Sequence, residues 1–381
     1  MAFSPGADGK ARSDTPLPSA PPTERLLSLD AFRGLTVLGM LLVNNAALDD
    51  ATPTSLIHAD GTGGVHFADL VFPWFLLLVG VALPFSFASH RRKAGKGWAR
   101  KALARGIALF CVGCLVDSSI ARTPYLGFGV LQLIGVASTL AALGCLTRPI
   151  VRALFAVVLL GGYGILLHAF PVPQFGAGNF ATQNNAVAYL NDTYLTPLGL
   201  RGLLSVAPTS ALALLGTLAG ELLVSRRQGP AAKAFGLLVG GATGATLGLL
   251  WGQFLPLNKP LWTPPYILFA GGAGTAGLGV IFLCTDTALV RRIRFWATPL
   301  AIAGANPLIA YVAPILVKVN VLQAWHWPQA TSAQTVEDAL RSWCFAQAGR
   351  IGGGWLYTLV YIAFWWGVLA YLYRRRVFVR L

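Results

Sequence analysis

The sequence predicts an all-α, polytopic integral membrane protein of about ten transmembrane helices, with both termini cytoplasmic. Three observations carry that expectation. Of the 381 residues, 55% are hydrophobic and only 11% are charged, against roughly 25% charged in ordinary soluble domains. Apolar runs approaching the roughly 20 residues needed to cross a hydrocarbon core recur along the chain, separated by short polar connections. Finally, the basic clusters alternate by loop. "RRKAGKGWARKALAR" (91–105), "TRPIVR" (147–152), "SRRQGPAAK" (225–233), "RRIR" (291–294) and "RRRVFVR" (374–380) all fall on the same side of a ten-helix count as Lys10, Arg12 and Arg25. The intervening loops hold scattered Arg122, Arg201, Lys259, Arg341 and Arg350, so the basic side is the cytoplasmic one. The net charge of +15 is thus topogenic or lipid-facing, and no nucleic-acid partner is expected.

Residues 1–24, rich in Pro, Ser, Ala and Gly, are too polar for a core and are expected to form a disordered cytoplasmic tail before a transmembrane domain over 25–381. No cleavable signal is expected, because the run after Arg25 continues through Arg33 without a small-residue cleavage site. The first span, 29–47, lies in "SLDAFRGLTVLGMLLVNN". Asp30 and Arg33 stand three residues apart on one helix face, a spacing that suits a local ion pair, and the Ser-Leu-Asp start also suits a cap. Asn44 and Asn45 close the same helix roughly 15–20 Å further along. The second span, 69–89, opens on Asp69, a candidate N-cap. The third, 106–120, is the shortest and carries "CVGC". Spans at 128–147, 151–170, 203–224, 234–256, 263–285, 298–320 and 354–373 complete the count. Cys111, Cys114, Cys145 and Cys284 fall inside apolar segments and Cys344 in an outer loop. Small cysteines pack well in helices, so neither a metal site nor a disulfide framework is expected.

Ionisable and amide groups in membrane segments are costly, which makes each a functional candidate beside its ordinary role in interhelical bonding. His58 and His66 lie in the outer loop between the first two spans, where a Gly-rich "DGTGG" turn allows the chain to fold back toward the helix mouth. Solvent exposure is the ordinary fate of a loop histidine. A neutral imidazole is also the natural group to take a proton from an amine or hydroxyl near neutral pH.

In order along the chain, "RLLSLDAFRGLTVLGMLLVNN", "HADGTGGVHFADLVFPWFLLLVGVALPFS", "GVLQLIGVASTLAAL", "LRGLLSVAPTSALALLGTLAGELL", "LPLNKPLWTPPYILFAGG" and "GANPLIAYV" resemble the heparan-alpha-glucosaminide N-acetyltransferase family and its bacterial relatives. The resemblance implies a membrane acyltransferase that takes an acetyl group from cytosolic acetyl-CoA, as cosubstrate and without a metal, to an amino sugar across the membrane. It also implies roles for particular residues. Asn44 matches the family's asparagine at the end of the first core helix, His58 its active-site histidine, and Asn306 the asparagine of its late "GxNxLxxYV" segment. Around these, Asn45, Asp69 and Arg33 are the expected substrate and acyl-CoA contacts. The chain departs from the family in lacking the tryptophan after the histidine and in having one more residue before Asp69, which leaves His66 as the alternative to His58. Leu133 in "VLQL" stands where the family has an arginine, so another cation must meet the CoA phosphates.

The expected partners are membrane lipid, acyl-CoA and an extracytoplasmic sugar acceptor, with a homo-oligomer as a possible assembly and the bacterial inner (cytoplasmic) membrane as the location. His58 would serve as a general base or as a nucleophile forming an acyl-imidazole. The rival function is a multi-helix transporter or flippase of a sugar or envelope metabolite, since Gly- and Pro-broken helices lined with amides also suit a translocation path. The charge alternation is directly testable. In a cysteine-free background, Ser55→Cys should react with an impermeant thiol reagent added outside and Ser225→Cys should not; labelling of position 225 from outside would overturn the topology.

Overall fold

The computed structural model of the chain describes residues 26–60, 64–92, 96–287, 294–326 and 334–379. The proposed tail at 1–24 and the glycines at 61 and 63 lie outside them. Among the described residues the helices come in the expected order. The first five are α1 Leu27–Asn45, α2 Phe67–Arg92, α3 Trp98–Ala121, α4 Val130–Gly144 and α5 Pro149–Ala169. After a five-residue helix, α6 Ala186–Leu190, come α7 Val206–Val224, α8 Pro230–Trp251 and α9 Pro264–Thr285, then α10 Ala297–Gly304, α11 Pro307–Val317 and α12 Val336–Arg374. Among the described residues, eight helices are long and apolar enough to span a membrane, and α10 with α11 and its extension forms an apolar pair bent by 70°, the shape of a broken span or a re-entrant loop. The protein is an all-α polytopic membrane protein.

Two lengths differ from the expectation. The third span, expected as the short one, is a 24-residue helix, because "WARKALAR" continues the helix with its charges at the surface. The short member is instead α4, at 15 residues. It lies against α2, α3 and α7, so its ends are shielded by protein rather than by lipid length.

Proline sets several starts. It occupies the first turn of α5, α8, α9 and α11, where its missing N–H costs nothing and its fixed φ is already helical. At the start of α1 the expected Asp30 cap is not used. The backbone N–H groups of Leu27 and Ser28 donate instead to the carboxylate of Asp286 at 3.2 and 2.9 Å, while Asp30 pairs with Arg33 at 3.1 Å. Cys344, expected in an outer loop, is buried in the first part of α12. That part is set off from the rest of the helix by Ala348 and Gly349, where φ reaches +69°.

α2 lies centrally, against α1, α4, α7 and α9. Lipid supplies little drive for helices to associate, so close backbone approach through small residues takes its place. A Cβ on Gly34 of α1 would fall on the Leu300 carbonyl of α10, and one on Gly80 of α2 on the Ala213 carbonyl of α7. The bundle thus has two ends. Leu27, Asp286, Asn306 and Val379 share the base, while His58, Asp69 and Lys259 share the mouth.

The α1–α10 crossing predicts a sharp asymmetry. Gly34→Leu should destabilise the protein by about 1–3 kcal/mol or more through overpacking, read as a lower melting temperature in detergent. Gly240→Leu, at a glycine with open space around it, should leave the melting temperature nearly unchanged. Equal melting of the two variants would remove the crossing as a stabilising feature.

Candidate active site

Asp69 organises the mouth. It is the third residue of α2 rather than its N-cap, and its side chain is fully buried. Oδ2 accepts from the backbone N–H of His66 at 2.9 Å and of Ala59 at 3.2 Å. The bond to His66, immediately before the helix, is the acidic arm of a capping box. Oδ1 lies 3.0 Å from His58 Nδ1 and 3.4 Å from Lys259 Nζ. The Asp69 carbonyl accepts from the Tyr266 hydroxyl of α9 at 2.6 Å, so the start of α2 is tied to α9 as well.

Lys259 completes a triangle, with Nζ 2.7 Å from His58 Nδ1 and 3.3 Å from Nε2. An ionised carboxylate only accepts and an ammonium only donates. Nδ1 therefore either carries a proton toward Asp69 or receives one from Lys259. In the first state Nε2 has a free lone pair. Burial pushes the Lys259 ammonium below its ordinary value, opposed by the Asp69 carboxylate.

The loop that carries Lys259 is heavily braced. Asn258 is fully buried; its Oδ1 accepts from Leu261 N at 2.9 Å and its Nδ2 donates to Phe180 O at 3.2 Å. Asn258 N donates to Thr263 Oγ1, which in turn donates to Pro256 O. Tyr163 of α5 donates to Leu261 O. Trp262 is held at φ +52°, a left-handed conformation unusual for a bulky residue, and its ring lies edge-on to Phe72 at 5.2 Å.

Two cavities meet inside the bundle. The mouth cavity, about 210 Å³, is lined by Asn44, His58, Lys259 and Trp262. The base cavity, about 530 Å³, is lined by Asp30, Arg33, Ser86, Arg105 and Val379, and its volume is within the 300–1,000 Å³ range of ligand sites. Met40, Phe72, Val130 and Tyr311 line both, so the two cavities adjoin across these four side chains. A further cavity at the base shares Ser86 and Arg105 and adds His90 and Lys101.

Of the residues singled out in the sequence, His58, Asn44 and Asp69 come together at the mouth. Asn45 is buried beside them; its amide donates to Leu41 O at 2.9 Å and its oxygen accepts from Lys318 at 3.2 Å. His66 turns its Nδ1 to the Ile57 carbonyl at 2.9 Å, and it is absent from the lining of the mouth cavity. Arg33 lies in the wall of the base cavity. Asn306 is not brought to His58. It sits at the break between α10 and α11, where its Nδ2 donates to Val377 O at 2.9 Å and its Oδ1 accepts from Val379 N at 3.0 Å. Sequence reasoning missed Lys259, Trp262 and Tyr311. The signal for Lys259 was present, as a cation on the sparsely charged side within the "NKPLWTPP" turn. Among the described residues, no cluster of His, Cys, Asp and Glu could hold a metal ion.

The buried carboxylate makes the mouth fragile at one point. Asp69→Ala leaves two backbone donors and Lys259 without their acceptor, a loss of about 3–5 kcal/mol for a broken buried pair. The variant should melt earlier and be cleaved faster by protease between residues 58 and 66; an unchanged melting temperature would show that the carboxylate holds nothing.

Comparison with known proteins accords with this geometry. Residues 25–241 match the family described as "Heparan-alpha-glucosaminide N-acetyltransferase, catalytic", a stretch that contains Asn44, His58, Asp69 and Arg105. The chain is also 25% identical over 373 residues to the human heparan-alpha-glucosaminide N-acetyltransferase. That similarity covers 78% of this chain and 53% of the relative, so the chain spans about half the relative's length. With more than half of its length matched, the chain belongs to the heparan-alpha-glucosaminide N-acetyltransferase catalytic family.

Proposed function

We propose that this protein is a transmembrane acyltransferase that takes an acyl group, expected to be acetyl, from acyl-CoA at the base and transfers it to an amino sugar or related acceptor at the mouth. The observation that carries this reading is the pair of adjoining cavities, one lined by Arg33 and Arg105, the other by Asn44, His58 and Lys259, with Met40, Phe72, Val130 and Tyr311 between them. The alternation of basic loops makes the base cytoplasmic and the mouth the outer side, in a bacterial inner membrane. The family supplies the reaction class.

Each part of the donor finds matching chemistry. The CoA phosphates bind Arg33, Arg105 and Lys101 by charge-assisted hydrogen bonds. Arg105 sits beside Gly106, which packs against Gly135 of α4, and it supplies the charge that Leu133 does not. The pantetheine arm passes the four side chains between the cavities and presents its thioester to Asn44, whose amide donates to the carbonyl oxygen as negative charge develops there. Such a donor contributes about 3 kcal/mol in other acyl-transfer enzymes. With Nδ1–H directed to Asp69, the His58 Nε2 lone pair takes the proton of the attacking amine as a general base; the same lone pair would serve a nucleophile forming an acyl-imidazole. The break at α10–α11 also suits a translocation path, but its polar residue, Asn306, is engaged by the C-terminal segment.

Purified protein given acetyl-CoA and glucosamine should release free thiol. His58→Ala should reduce this by about two to four orders of magnitude while acyl-CoA binding persists, and His66→Ala should keep most of the activity. A dead His66→Ala with an active His58→Ala would transfer the base to His66; two active variants would end the histidine mechanism. Asn44→Ala should lower kcat by about a hundredfold with little change in acyl-CoA binding. A loss in binding equal to the loss in turnover would make Asn44 a ground-state contact only.

A further inference from the structure

Acyl transfer from a thioester changes the charge on three atoms: the attacking nitrogen, the carbonyl oxygen and the departing sulfur. His58 and Asn44 answer the first two. We infer that Lys259 is a catalytic residue whose ammonium stabilises the thiolate of CoA as it leaves. This inference rests on the acyl-transfer reading above.

Four observations carry it. Among the described residues, Lys259 is the only lysine or arginine lining the mouth cavity. Its neighbours there, Trp262 and Tyr311, have neutral donors, whereas a thiolate carries a full negative charge that an ammonium matches best. Its turn is overbuilt for a surface connection, with buried Asn258, the Thr263 bonds, the Tyr163 contact and Trp262 at φ +52°; such strain persists only where the surroundings impose it. The triangle with His58 and Asp69 supplies the third observation. With Nδ1–H directed to Asp69, the ring N–H and the ammonium are two donors 2.7 Å apart, so in that state the ammonium turns away from the ring, toward the carboxylate at 3.4 Å and the cavity. The fourth is burial, which loosens the ammonium proton and suits a group that must neutralise an anion.

The step balances within the site. The amine lone pair forms the C–N bond, and the C–S pair departs with the sulfur. The amine proton goes to His58 Nε2, the thiolate takes a proton from the Lys259 ammonium, and His58 passes its proton on to the Lys259 amine, whose nitrogen lies 3.3 Å from Nε2. CoA leaves as the thiol, and His58 and Lys259 return to their starting states.

A leaving-group comparison separates this role from a structural one. Wild-type protein and Lys259→Met are assayed with glucosamine and either S-acetyl-N-acetylcysteamine, whose alkyl thiolate is basic, or S-acetylthiophenol, whose aryl thiolate needs little stabilisation. Lys259→Met should lose about a hundredfold or more in kcat on the alkyl thioester, and less than about a tenth as much on the aryl thioester. The ratio between the two thioesters within one variant does not depend on the fraction of folded protein. Lys259→Arg, which keeps the charge, should retain most of the alkyl-thioester activity. Equal losses on both thioesters, or no loss on either, would overturn the role of Lys259 while leaving acyl transfer standing. Wild-type protein that releases no thiol from acetyl-CoA would overturn the acyl-transfer reading, and the lysine's role with it.

Discussion

The buried carboxylate of Asp69 is the constraint on which the mouth of this protein depends. Removing such a group from water costs several kcal/mol, which only a full set of donors offsets. The donors come from separate parts of the chain: two backbone N–H groups of the loop after α1, the His58 ring within that loop, and Lys259 between α8 and α9. Tyr266 of α9 then fixes the backbone of the same residue. Loop, helix start and distant turn are therefore ordered together. The orientation of the His58 ring, which decides whether Nε2 can work as a base, follows from that shared acceptor.

Beneath the mouth, the bundle separates rigid contacts from open space according to side-chain size. Where glycine meets backbone, as at Gly34 with Leu300 and Gly80 with Ala213, helices come together too closely for any cavity. Where Met40, Phe72, Val130 and Tyr311 of four helices converge, larger side chains line the boundary shared by two cavities. Charge is distributed in the same sense, with arginines at the base and an apolar middle.

Particular residues show how far the sequence could be read. The Asp30–Arg33 pair was legible because both members lie on one helix turn. Asn44 and His58 were legible from local motifs, and they do face one cavity. Asn306 was legible through its match to the family's late segment but not as a clasp for the C-terminal segment, since Val377 and Val379 are ordinary apolar residues whose backbone alone makes the contact. The Ser-Leu-Asp start suits a cap on α1, yet Asp286, distant in sequence, receives the first N–H groups of that helix. The third helix was expected to be short because its charged first turns depress hydropathy without breaking the helix.

By itself, the sequence determined the class and order of the helices, because each span must satisfy its own backbone within lipid and so announces itself as a local apolar run. It determined which loops are basic and which residues carry the family motifs. Only the tertiary structure decided that Lys259, 201 residues from His58, would share its ring with Asp69, and that the two cavities would adjoin across four side chains. The physical reason is that a buried charge is satisfied by whatever donors the fold brings within about 3 Å, and distance of that kind leaves no trace in the order of residues along a chain.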